Sequence, residues 1–162
     1  MTSRIKEVMM KKIWRIPIFL LLIVIFGVSI IAGAMISIPE STVHNLKFEV
    51  CTDKETYGVN ETITIHLKII NPTLSTISLH FNSGYQLDYI ILDQNDTQLY
   101  RWSNDKMFLQ VFTGIRIDPF SSHKRTFNHA PESHSLQPGM YTIRGLVVDY
   151  FAKDTTIQVL ET

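Results

Sequence analysis

Cysteine is nearly absent from this chain. Cys51 stands alone, so no intrachain disulfide can form, and zinc clusters and CxxC redox chemistry are excluded with it. No GxSxG elbow, HExxH, P-loop or glycine-rich dinucleotide fingerprint occurs. None of the 6 histidines stands two or four residues from another, so no single element offers two imidazoles to one metal. The sequence therefore points to no catalytic residue, metal ligand or cofactor. An exported hydrolase is disfavoured because no nucleophile is found beside a base.

Charge is absent from a long stretch. Residues 16–38 contain no Asp, Glu, Lys, Arg or His. As a helix this run reaches ~35 Å at ~1.5 Å per residue, enough to cross a hydrocarbon core of ~30 Å. Arg4, Lys6, Lys11, Lys12 and Arg15 precede it against Glu7 alone. The positive-inside rule then places residues 1–15 in the cytoplasm and the rest of the chain outside, with the bilayer as a partner through residues 16–38. The run also reads as a cleavable secretory signal, with Ala32-Gly33-Ala34 as the cleavage site and a secreted product. It is longer than an ordinary h-region, which favours an uncleaved signal-anchor. Both readings export the same domain.

Of 15 basic and 15 acidic residues, five basic and one acidic lie in the first fifteen positions. The remainder carries ten basic against fourteen acidic, which argues against nucleic acid as a partner. Residues 39–44 read as a short stalk and 45–162 as one exported domain with a single core.

Within that domain the hydrophobic period is two. Leu46, Phe48 and Val50 alternate with polar neighbours, as do Ile63, Ile65, Leu67 and Ile69, and then Ile77, Leu79 and Phe81. Residues 87–92, 98–102, 124–127, 140–149 and 155–159 and the pair Ile115 and Ile117 complete eight or nine strands punctuated by turns, the pattern of an all-β antiparallel sandwich. Residues 52–60 and 128–137 read as connections, and 103–112 fit neither period. Tyr141 follows the Pro138-Gly139 turn at the head of a strand, where its hydroxyl can tie back to the preceding loop as a tyrosine corner.

Asp93, Asp96 and Asp105 fall in turns that favour aspartate for local hydrogen bonding, and with Asp88 they are the carboxylates to weigh as a site. Asn60-Glu61-Thr62 and Asn95-Asp96-Thr97 have the form of glycosylation acceptors. Tyr85, Tyr89, Tyr100, Trp102, Phe108 and Phe112 gather beside Arg101 and Lys106, as either a core or a protein-binding hot spot.

Several runs carry a family resemblance. Asn71 after a hydrophobic strand, Ser83-Gly84-Tyr85-Gln86-Leu87-Asp88, Tyr100-Arg101-Trp102-Ser103, Met107-Phe108 and Pro138-Gly139-Met140-Tyr141 together resemble the BsuPI-type intracellular proteinase inhibitor domain. Phe120-Ser121 stands where that pattern leads one to expect a Pro-Gly turn, and His129 lies near an expected Trp. The resemblance implies an immunoglobulin-like sandwich whose partner is a protease. It supplies no reactive-site residues. Inhibition requires an exposed, rigid segment, so Gly84 and Tyr85 in one turn and His129, Glu132 and His134 in the long loop are the candidates for protein contact. The alternative is a non-inhibitory interaction or assembly module at the cell surface.

Overall fold

The computed structural model describes residues 43–161. The anticipated membrane span, basic tail and cleavage site lie outside the described residues. Among the described residues no helix is long and apolar enough to cross a membrane.

Ten strands follow a 3-10 turn at Val43–Asn45: β1 (Lys47–Thr52), β2 (Thr56–Gly58), β3 (Ile63–Ile70), β4 (Ile77–Phe81), β5 (Leu87–Leu92), β6 (Gln98–Arg101), β7 (Thr113–Ile117), β8 (Ser122–His129), β9 (Gly139–Val147) and β10 (Phe151–Leu160). One sheet has the order β1-β3-β8, a second β2-β10-β9-β5-β6, and β4 pairs with β7 as a separate ribbon. All pairs are antiparallel except β2 with β10.

Alternation builds the core directly. Every second residue of β3 is buried, as in β4, and these side chains meet those of β5, β9 and β10 between the sheets. The two layers approach closely at Gly145 of β9. A Cβ there would lie 2.5 Å from both Leu67 Cδ2 and Val50 Cγ2 of the facing sheet, so any larger residue must displace core side chains.

Three features differ from the expected pattern. The connection at 52–60 contains β2, because Tyr57 plugs into the core and its three residues pair with Gln158–Leu160 of β10. The strand expected at 124–127 runs from Ser122 to His129, since all eight residues find partners on β3. The expected loop at 128–137 therefore begins only at Ala130.

The strands give the domain two ends. Lys47, Ile70 and Ser122 are in register at the proximal end, where the chain leaves residues 1–42 behind. The turns at 71–76, 82–86, 118–121 and 148–150 lie there too, linked through Asn71 N to Ser121 O, Phe120 N to Thr73 O, Val148 N to Gln86 O and the Tyr150 hydroxyl to His80 O. At the distal end Ile63 faces His129 and Val159 faces Gly139.

Candidate functional site

Three of the runs that carry the family resemblance, 83–88, 100–103 and 107–108, converge at the proximal half of β5. Asp88 is wholly buried, and its Oδ1 accepts from the Tyr89 amide at 2.8 Å. Its Oδ2 accepts from Arg101 Nε at 2.8 Å, from Ser103 Oγ at 2.7 Å and from the Tyr85 hydroxyl. Arg101 Nη2 donates in turn to the Tyr85 oxygen at 2.7 Å. A buried carboxylate is tolerated only with such compensation, and here each oxygen is engaged. Burial, then the Asp88 bond, raises the Tyr85 phenol above its ordinary range, while the Asp88 bond raises Arg101 further. The cluster locks charge rather than presenting it, so it serves as a staple between β5 and β6.

Over this staple lies the irregular stretch that fitted neither period. The Gly84 amide donates to the Leu109 carbonyl at 2.9 Å. The Phe108 ring sits 4.8 Å from Tyr85 and 6.0 Å from Trp102, and Trp102 packs edge-on to Phe127 of the other sheet at 4.9 Å. The aromatic run thus divides. Tyr89 is core, Tyr100 and Trp102 are half-buried, and Phe112 is exposed.

Asn71 organises the proximal turns. Its Nδ2 donates to the carbonyls of Ser75, Ile117 and Asp118, and its Oδ1 accepts from the Thr73 amide and hydroxyl. One buried amide so closes two loops.

The distal loop, residues 130–138, is held at three points. His129 is 2% exposed, and its Nε2 donates to the His134 carbonyl at 3.0 Å. A neutral ring then has an acceptor at Nδ1, which takes the Tyr89 hydroxyl at 3.1 Å. Burial lowers the His129 pKa and keeps the ring neutral, while the His134 carbonyl fixes its proton on Nε2. Leu136 inserts into the core, and the Tyr141 hydroxyl donates to the Gln137 carbonyl at 2.8 Å, closing the anticipated tyrosine corner.

The expected contact residues therefore separate. Glu132 is exposed and His134 half-exposed, its ring 6.1 Å from Tyr100. The His129 side chain is 2% exposed, because it is the last residue of β8 and lies on the inward face. Gly84 and Tyr85 lie at the other end, where Gly84 backs onto Leu109 and the Tyr85 hydroxyl is held by the staple. Asn60 and Asn95 are both exposed in distal turns. Sequence reasoning passed over Asp88 as a hub, although its position within a hydrophobic strand was the available signal.

Among the described residues no three His, Cys, Asp or Glu side chains converge. Two surface grooves, one lined by Cys51, Glu55, Met140 and Gln158 and the other by Glu49, Cys51, His66, Lys68 and Lys124, bring the Cys51 thiol opposite His66, whose Nδ1 is instead engaged with Thr126 Oγ1 at 3.0 Å.

Comparison with curated proteins gave no match. Solved structures similar to the chain include a β-glucosidase from Erythrobacter marinus, at 12% identity and TM-score 0.47, with 71% of this chain and 15% of that one covered. Another is a cycloisomaltooligosaccharide glucanotransferase from Paenibacillus, at 15% identity and TM-score 0.47 over 73% of this chain and 14% of that one. A third is the CARDB domain of a Pyrococcus furiosus protein, at 16% identity and TM-score 0.45 over 72% of this chain and 94% of that domain. The chain spans about a seventh of the two enzymes' length, and likeness at this level says nothing of activity or ligand. The model of the BsuPI family, described as intracellular proteinase inhibitor, matches residues 50–150. That match takes in the Asp88 staple, its Tyr85 and Arg101 partners and the distal loop with its tyrosine corner, and this non-enzymatic chain belongs to the BsuPI family of intracellular proteinase inhibitors.

Proposed function

We propose that the chain is a membrane-anchored inhibitor that presents its sandwich outside the cytoplasm and engages a proteinase through residues 130–138. Family membership supports a proteinase as the class of partner. The observation that carries the choice of contact is the triple hold on the distal loop by His129, Leu136 and Tyr141. A segment fixed before binding loses little entropy in a proteinase cleft and adapts poorly to the strain of cleavage. Glu132 and His134 are the ionisable side chains of this loop, and Ser133, Ser135 and Gln137 are exposed beside them. The basic residues at 4–15 and the uncharged run at 16–38 support the anchor and its orientation.

The test is a titration of the full chain, in detergent micelles, against a panel of serine proteases while substrate cleavage is followed. Near-stoichiometric, saturable loss of activity with the chain intact supports inhibition. A folded chain that leaves the whole panel active points instead to a non-inhibitory surface interaction module. Orientation has its own readout, because Cys51 is free and exposed. A membrane-impermeant maleimide labels it in intact cells when the domain is outside, and labels it only after lysis when the domain is inside.

A further inference from the structure

Large exposed apolar side chains are unevenly placed on the domain. Leu74 and Phe120 lie on proximal turns, Met107, Leu109, Val111 and Phe112 on the irregular stretch that Leu109 O ties to Gly84 N of the proximal 82–86 turn, and Met107 and Phe112 are almost fully uncovered at 101% and 89%. The other three, Leu99, Met140 and Leu160, are only partly uncovered and belong to strands. The proximal group is no loose end of the core. Phe108 and the Gly84 amide brace the 107–112 segment from beneath, and its remaining side chains face outward. Phe120 holds a φ of 52°, a left-handed conformation unfavourable for a bulky residue, yet its ring is left in solvent. Exposed apolar groups concentrated in this way mark an interaction surface.

The tether indicates what covers it. From Ile38, the last residue of the uncharged run, to Val43 is five residues, at most ~17 Å of extended chain. Val43 itself packs on the core, and its turn lies against β4 at the same proximal end. β9 alone spans ~30 Å, so the tether is too short for an inverted domain whose distal end points at a surface that holds residue 38. Charge at this end is mixed: Arg116 is paired with Asp118 at 3.1 Å, the Lys106 ammonium lies over the Trp102 ring at 4.8 Å, and exposed Lys47 is offset by exposed Asp105 and Asp149.

We infer that the proximal end is a lipid-docking face whose Met107, Leu109, Phe112 and Phe120 side chains enter the headgroup boundary of the bilayer. This inference rests on residues 16–38 being a membrane span. Docking directs residues 130–138 away from the bilayer, toward an approaching proteinase. The attraction is apolar, so an uncharged lipid surface suffices.

The experiment uses the full chain reconstituted in phosphatidylcholine vesicles, with Cys51→Ser as background. Met107→Cys, Phe112→Cys and, as a control, Glu132→Cys each carry an environment-sensitive fluorophore. All three sites are exposed, so the fold is unaffected. The expected result is blue-shifted emission and several-fold quenching by spin-labelled lipid at 107 and 112, with neither at 132. A chain retained after alkaline washing whose 107 and 112 probes report water overturns the docking face and leaves the anchor standing. A chain washed out at alkaline pH overturns the anchor and the docking face together. Probes shielded from water but untouched by lipid-borne quencher place protein there, which also overturns the proposal.

Discussion

The Nε2–H of His129 donates to the carbonyl of His134 at 3.0 Å, so one buried imidazole sets the start of the loop that faces away from the proximal end. Burial lowers the pKa of this ring below the ordinary 6.5, outweighing the His134 bond that raises it, and so makes stability depend on pH. The unfolded chain takes up a proton near pH 6.5 while folded His129 does so only at lower pH. Stability is full above about 6.5 and is lost as pH falls toward the lowered value. His123, lowered by burial and by Arg125, adds to the same slope. Thermal unfolding at pH 7.5 and pH 5.5 should therefore show a drop in Tm on acidification. The drop should shrink in His129→Gln; an unchanged slope refutes the role given to this ring.

Asp88→Ala should cost about 3 kcal/mol. The change leaves Arg101, Ser103 and the Tyr85 hydroxyl without their common acceptor. Urea unfolding measures it. A loss under about 1 kcal/mol, within the range of an exposed ion pair, is inconsistent with a buried staple.

Phe120→Gly should stabilise the domain by about 1 kcal/mol, since glycine takes the 52° φ without a Cβ clash. The ring is 69% exposed and leaves little packing behind. In vesicles the same substitution should weaken contact with lipid, so stability and docking move in opposite directions.

Gly145→Val should cost about 3 kcal/mol or abolish folding. Added methyl groups meet the terminal methyls of Leu67 and Val50 across the sandwich, and both are buried in the packed core with little room to withdraw. Circular dichroism and thermal unfolding report it directly.

Replacing Glu132 and His134 together by Ala should weaken inhibition at least tenfold, about 1.4 kcal/mol in binding, with Tm nearly unchanged. Neither side chain carries the hold on the loop: His134 supplies its carbonyl to His129, and a backbone carbonyl survives substitution. Unaltered inhibition moves the contact elsewhere on the domain.

Much of the architecture was legible because β-strands write their faces into the chain. Ile63, Ile65, Leu67 and Ile69 state by alternation which side is buried, and the Pro138-Gly139 turn before Tyr141 foretold the bond to Gln137. The candidate site was legible in part. The runs from Ser83 to Asp88 and from Tyr100 to Ser103 stood out as family marks, yet their meeting at one carboxylate oxygen needs the pairing of β5 with β6.

The sequence by itself determined an all-β domain without disulfides, the uncharged run before it and the strand faces, since these depend on residues close along the chain. Tertiary structure alone decided that β2 leaves its loop to pair with β10, that His129 turns inward onto Tyr89, and that Leu74, Met107, Phe112 and Phe120 share one end. Period-two alternation specifies the face of a side chain and not its partner. Contacts between residues forty or more positions apart arise only when register and packing bring the strands together.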